Sequence, residues 1–432
     1  MLSIGLMSGT SMDGVEAALL RTTGLPEGLE SLGYISLPYE PAFKIRLKSA
    51  EYAYRQCLGD RHAAEQYYPE AIKDYLEHII GLSAEQAAAQ WHELAENNQM
   101  TLAAVISLST EYHAMAVEKL LVQTGFTASD IDVVGYPGQT LFHRPQDKIS
   151  IIVGDGQWLA NRLGITVVND FRRQDIQAGG WGAPFAPVYH QALAIKYQKI
   201  PLAVINCGGI ANVTLIPSDQ ENDLIGYDAG PGNALIDSFV RQRTQGREQM
   251  DQDGQYAKQG KVDQGVLADL YDQAVRVKES SHYGNFLLKR PPKGLDYGDM
   301  VLIPALAALS LANGCRTLAA FTAECLVRSF SLLDCTMPSQ IVLAGGGWNN
   351  PVILAEFRQR LAEQYSEIQV QTADQLGWDN QAIEAQLFAY LAVRSLAGKP
   401  LSYPGTTQVP VPMPGGQTFY PLEEIQERAR RC

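Results

Sequence analysis

The segment Ser3-Ile4-Gly5-Leu6-Met7-Ser8-Gly9-Thr10-Ser11-Met12-Asp13-Gly14-Val15-Glu16-Ala17-Ala18-Leu19-Leu20 reads as an apolar strand, a turn of small residues and a second apolar strand. Far downstream, Ala203-Val204-Ile205-Asn206-Cys207-Gly208-Gly209-Ile210-Ala211-Asn212-Val213-Thr214-Leu215-Ile216 repeats the plan. Backbone N–H groups gathered in such turns attract anions. Two of them in one chain predict a pair of amide cradles facing a phosphate chain between two lobes, which is a phosphotransferase arrangement.

Working outward, the order of elements also repeats. A strand at 32–38 precedes a helical stretch, 41–124, in which Val105, Leu108, Tyr112 and Met115 fall on one predicted helix face. The Ala/Glu/Gln/His-rich part, 61–100, predicts a helical hairpin added at the surface. A strand at 131–135, a helix at 154–163 and a strand at 165–169 follow, and Pro184 or Pro187 opens a helix. After the second hairpin come a strand ending at Tyr227, a helical half, a strand at 341–344, a helix beyond Pro351, a strand at 368–371 and a helix at 381–396. This alternation predicts an α/β protein with a duplicated mixed sheet covered by helices. The expected lobes are 1–186 with 397–432, and 187–396. The Pro/Gly-rich tail, 400–416, predicts an ordered wrap, with a short helix from Pro421.

Bulk properties narrow the classes. At 432 residues, 46% hydrophobic and 19% charged, the chain has the core of a two- or three-domain globular protein. A formal net charge of −13 argues against nucleic acid or an anionic membrane as main partner. The cysteines are scattered without CxxC or Cys/His metal spacing, which suits buried thiols in a reducing compartment. No apolar run reaches the roughly 18 residues of a membrane span. The chain begins in a strand rather than a leader, so a cytoplasmic location is expected. P-loop, Rossmann, nucleophile-elbow and His metal motifs are all absent.

Four segments carry candidate chemistry. In Gly226-Tyr227-Asp228-Ala229-Gly230-Pro231-Gly232-Asn233, Asp228 is expected at a strand end, with a tight turn and a helix N-terminus beside it. Such a carboxylate can serve as a general base, or can simply satisfy turn amides. Asn169-Asp170-Phe171-Arg172-Arg173 before Gly179-Gly180-Trp181-Gly182 offers Arg172 either to ligand oxygens or to a loop-fixing ion pair. Gly345-Gly346-Gly347 before Trp348-Asn349-Asn350-Pro351 permits close backbone approach to a base or ribose, or is a plain strand-to-helix turn. Glu384 falls in the first turns of the last helix, which Asp379 or Asn380 would cap.

Together these segments, with Gly138-Gln139-Thr140, Gly154-Asp155-Gly156, Glu384-Ala385 and the tail 401–416, resemble the anhydro-N-acetylmuramic acid kinases within the actin-like, hexokinase-like superfamily. The resemblance implies an actin-like, ribonuclease H-like two-lobed fold. It also implies ATP- and Mg2+-dependent opening of 1,6-anhydro-N-acetylmuramic acid with phosphorylation of O6, in peptidoglycan recycling. On this match Asp228 is the base that activates water. Gly9, Thr10, Ser11, Met12, Asp13, Gly14, Val15 and Glu16 wrap the phosphates, while Gly208, Gly209, Asn212, Gly345, Gly346 and Gly347 complete the nucleotide site. Gln139, Arg172 and Glu384 contact the sugar, and Asp13 and Glu384 face the metal, directly or through water. The partners are then the anhydro sugar and ATP, and a homodimer is compatible with the family. Pro137, Trp181, Ala229, Glu16, Gly294 and Cys207 depart from the family pattern. These departures keep open a levoglucosan-type kinase and a weakened nucleotide-binding regulator of the same fold.

Overall fold

The computed structural model describes all residues except 10, 96–99, 145–146, 280–281 and 423–432. Thr10 and most of the expected helix from Pro421 lie outside the described residues. The strands in chain order are β1 (Leu2–Met7), β2 (Gly14–Arg21), β3 (Glu30–Pro38), β4 (Val133–Tyr136), β5 (Gln139–Arg144), β6 (Ile149–Val153) and β7 (Val167–Asn169). Then come β8 (Leu202–Cys207), β9 (Ile210–Ile216), β10 (Ile225–Pro231), β11 (Arg276–Glu279), β12 (His282–Asn285), β13 (Gln340–Ala344), β14 (Gln369–Thr372) and β15 (Gln417–Phe419).

The chain forms two compact units. One comprises Met1–Phe185, Gln381–Tyr403 and Val409–Cys432, and the other Ala186–Asn380 with Pro404–Gln408. The sheet of the first runs β15-β7-β4-β1-β2-β3, and that of the second β10-β9-β8-β13-β14. Without the added edge strand β15, both have the same plan. An antiparallel meander of three strands is joined through its first strand to two parallel strands. This duplicated ribonuclease H-like sheet is the actin-like α/β architecture. The hairpin β5–β6 is additional.

In the first unit, Ile4, Leu6, Val15, Ala17 and Leu19 of the hairpin are fully buried with Val134 and Val167. The helix Leu102–Thr124 covers this sheet through Leu102, Val105, Tyr112, Ala116, Val117 and Leu120. Met115, expected on that face, is exposed, because the buried stripe runs through Tyr112 and Ala116 instead. The helix Arg61–Asp74 is also more than a surface addition. Ala64, Tyr68, Ala71 and Ile72 are fully buried, and the Tyr68 hydroxyl donates to the Arg46 carbonyl at 3.1 Å. Only the following helix, Ala84–Ala95, keeps much of its surface in solvent.

The unit boundary differs from the expected one. The helix Ile383–Leu396 belongs to the first unit, where it lies against β1 and β4 rather than in the 187–396 lobe. A Cβ on Gly5 would stand 1.8 Å from the Ala385 carbonyl oxygen, and one on Gly135 2.0 Å from that of Phe388. Bare glycine surfaces on two neighbouring strands admit a helix whose contact face is Ala385, Ala389 and Ala392.

Candidate active site

In the second unit, Asn206, Asn212 and Asp228 are in register across β8, β9 and β10, so their side chains share one face. Asp228 is not at the strand end, as expected, since β10 continues to Pro231 with a bulge between Asp228 and Gly230. A bulge re-aims a side chain without ending the strand. The segment after the cation-bearing Lys293 holds Asp228 at two points. The Asp228 amide donates to the Lys293 carbonyl at 2.8 Å, and the Leu295 amide donates to Asp228 Oδ2 at 2.8 Å. The carboxyl is only partly open to solvent. Desolvation pushes its pKa to about 7, against the opposing pull of the Leu295 N–H and the Lys293 charge. A carboxyl that changes protonation near neutrality is the outcome.

The second turn is braced from behind. The amides of Gly232, Asn233 and Ala234 donate to the carbonyls of Gly209, Gly208 and Gly209 at 2.8, 2.9 and 3.2 Å. The amides at the start of the helix Ala234–Thr244 therefore brace the turn. Gly232 is required for this approach, since its Cβ would lie 2.0 Å from the Gly208 carbonyl oxygen. The Tyr297 hydroxyl stands 1.9 Å from where a Gly209 Cβ would be. In the triple glycine, Gly345 has φ +91° and packs on Asn206 and Cys207, and Gly347 packs on Cys207. Gly346 alone has no heavy atom within 4 Å of a notional Cβ. It leaves a backbone surface open to an incoming group.

In the first unit, the turn after β1 is closed by the Met12 amide donating to the Gly9 carbonyl at 3.1 Å, with Met12 buried at φ +53°. Ser8 Oγ contacts Gln139 Oε1 at 2.5 Å and the Tyr39 hydroxyl at 2.9 Å, and Gln139 Nε2 reaches the Gly9 carbonyl at 3.4 Å. Gln139 is fully buried, so its amide serves this turn and is not open to a sugar as expected. Asp13 is exposed and paired with Lys44. Burial nudges its carboxyl up, but Lys44 and the Ser11 hydroxyl outweigh this and hold it below the usual value. Glu16 pairs with Met7 and Ser36 in the ladder, and Val15 is core.

Arg172 borders a cavity of about 530 Å³ in the same unit, with Lys148, Asp155, Asp170, Arg173 and Phe419 among its walls. Burial lowers the Arg172 guanidinium to about 10, with Asp175 pulling the other way. Beside it His143 is driven down to about 3 by burial and by the Arg172 charge, and is neutral. Asp170 pairs with Arg173 at 2.5 Å rather than with Arg172, whose opposing charge is Asp175, itself accepting from the Gly182 amide. Glu384 opens the helix Ile383–Leu396, whose N-cap is Ala382 and not Asp379 or Asn380. Its side chain is exposed, and desolvation by the surrounding protein nevertheless raises its pKa.

Residues 72–421 match the family model for anhydro-N-acetylmuramic acid kinase. The chain belongs to this family. It is 38% identical to the anhydro-N-acetylmuramic acid kinase of Nitrobacter winogradskyi over 98% of this chain and the whole of the relative. It is 36% identical to that of Rhizorhabdus wittichii over 98% and 99%. Among solved structures, a ROK family glucokinase from Streptomyces griseus is similar at 12% identity and a TM-score of 0.38, covering 91% of this chain and 99% of that one. By its family the chain is a sugar kinase, and its duplicated sheets give it the actin-like fold; no described helix is long and apolar enough to cross a membrane.

In the sequence Lys293 carries only its match to the Pro-Lys of the family pattern, because burial is not expected of a lysine. Tyr39, His143 and Tyr297 lie far in sequence from the segments they serve.

Proposed function

We propose that this protein uses ATP to phosphorylate O6 of 1,6-anhydro-N-acetylmuramic acid while water opens the 1,6-anhydro bridge, giving N-acetylmuramic acid 6-phosphate and ADP. The reading that best supports this is Asp228, a single carboxylate clamped beside a glycine turn and tuned to titrate near pH 7. Ionised Asp228 takes a proton from water as the water oxygen bonds to C1. The C1–O6 bond breaks, and O6 accepts the γ-phosphoryl group of ATP as the bond to the β-phosphate oxygen breaks. Attack on one face of an acetal with departure from the other calls for a carboxylate on the attacking side. Most of the remaining catalysis is positioning and charge stabilisation of the phosphoryl group.

The turn segment 9–16 and, in the other unit, Gly208, Gly209 and Asn212 are assigned to the phosphates through those groups not already bonded within the turns, as the Met12 and Gly208 amides are, and the exposed backbone of Gly346 to the adenosine part. Arg172, whose guanidinium makes no hydrogen bond among the described residues, suits an anionic or hydroxyl-rich sugar substituent. For Mg2+ the residues fit only in part. Among the described residues no three Asp, Glu, His or Cys side chains gather into a cage. Single exposed carboxylates such as Asp13 and Glu384 match an ion whose other ligands are phosphate oxygens and water. Bound there, Mg2+ would neutralise phosphate charge. The acidic composition, with a net charge of −13, suits action in the cytoplasm.

Coupled ADP release on 1,6-anhydro-N-acetylmuramic acid, compared with levoglucosan, tests this. Turnover on the first and at least tenfold lower kcat/KM on the second is expected. Equal use of both removes the assigned substrate.

A further inference from the structure

A lysine buried without a carboxylate partner is costly, because its charge loses hydration and gains no ion pair. Lys293 is such a residue, at 3% exposure. Its Nζ donates to the carbonyls of Phe286 and Leu287, both at 3.3 Å, and lies 4.7 Å from the centre of the Phe286 ring. Among the described residues no carboxylate comes within ion-pair distance of it. Two carbonyls and a ring hold the ammonium in place, and its own backbone carbonyl receives the Asp228 amide. Two residues on, the Leu295 amide reaches Asp228 Oδ2. The same short segment therefore fixes the carboxylate through its backbone and carries a cation anchored on its own carbonyls and ring, beyond ion-pair distance but within reach of its field.

We propose that Lys293 is a positioning residue for Asp228: its anchored ammonium supplies the field that keeps that carboxylate ionised at working pH, and its segment fixes the carboxylate's direction. This rests on the reading of Asp228 as the base. The groups facing the pair are few. Lys293 is met by Asp228, by the Cys325 thiol from the helix Leu311–Phe330 and by Lys289. Asp228 is met by the Leu295 N–H and Lys293, with Asn212 as its neutral ladder partner. Among the described residues, the Leu295 N–H and the Lys293 charge are what oppose the desolvation of Asp228. The interaction is mutual, because Lys293 is itself drawn down to about 8 by burial while Cys325 and Asp228 pull it up.

The test is the pH profile of Lys293→Met, which keeps the stem and removes the charge. Its acid limb is expected to move by about one pH unit to the alkaline side, lowering kcat/KM about tenfold at pH 6.5 and leaving it within about twofold of wild type at pH 9. KM for ATP should stay unchanged, and Lys293→Arg, which keeps the charge, should hold the limb where wild type has it. An unmoved limb in Lys293→Met overturns the proposal. Should Lys293→Met not fold, the reciprocal measurement decides: the Lys293 ammonium is followed by NMR of 15N-lysine protein, wild type against Asp228→Asn. Loss of the carboxylate must lower its titration point, and an identical titration overturns the coupling. A fully active Asp228→Asn would instead remove the base, leaving the Lys293–Asp228 coupling measurable by itself.

Discussion

Replacing Asp228 by Asn should do two opposite things, abolishing turnover and stabilising the fold at alkaline pH. The carboxyl is raised from 3.8 to about 7. The folded chain thus holds this proton more tightly than the unfolded one. Stability from this group is fully present below about pH 4 and declines as pH rises through about 7, since the folded state must then carry a poorly solvated charge. Three pKa units correspond to about 4 kcal/mol as an upper bound. Partial solvent access to the carboxyl screens this to about 1–2 kcal/mol. Asn keeps the acceptor for the Leu295 amide and lacks the charge. Urea or thermal midpoints for the two proteins should therefore coincide near pH 4.5 and separate by pH 8.5, with Asp228→Asn the more stable by about 2–4 °C. ADP release should fall at least a thousandfold at every pH. Equal or lower stability of the variant at pH 8.5 would refute the account, because it would mark Asp228 as a satisfied structural carboxylate.

Other substitutions probe the remaining parts. In the wild type, kcat/KM should drop about tenfold per pH unit below about 7, as ionised Asp228 is lost, and a profile flat to pH 5 would exclude it as the base. Gln139→Leu removes the contacts to Ser8 and Gly9, so KM for ATP should rise about tenfold while the melting temperature changes by only a few degrees. Gly345→Ala meets Asn206 at 2.3 Å with φ +91° and should cost about 1–3 kcal/mol, seen as a lowered melting point. Gly346→Ala meets nothing and should melt as wild type, yet bind ATP more weakly by calorimetry.

Much of this was legible because hairpins advertise themselves locally. Alternating apolar residues either side of Gly9–Gly14 and Gly208–Gly209 fix register within a few residues, and both hairpins form as read. The helix Ile383–Leu396 was misassigned because its partner surface, Gly5 and Gly135, is distant in sequence and is defined by missing side chains. Hairpin β5–β6 was missed since His143 and Arg144 break its apolar pattern. At the site, residue types gave Asp228 and the glycines. They could not give the amides of Gly232–Ala234 turning back onto Gly208 and Gly209, or the burial of Lys293, both of which exist only through tertiary packing.

The duplicated sheets explain why one carboxylate can be singled out. Beside the first turn, the ladder row runs Met7, Glu16, Ser36; beside the second, it runs Asn206, Asn212, Asp228. Each unit offers a glycine turn with backbone donors, and such donors are generic to any phosphate. Only the second row ends, on its third strand, in an acid with a bulge to aim it and a buried cation behind it. In the first unit the third strand carries Ser36 at that row and no bulge there; its register shift lies at Leu19/Leu20, far from the turn. Transferring the acid, as Ser36→Asp in an Asp228→Asn background, should restore no ADP release, because neither the bulge nor the Lys293–Leu295 clamp exists in that unit. Recovered turnover would mean that an acid anywhere in the row suffices, and that the surroundings described for Asp228 are incidental to catalysis.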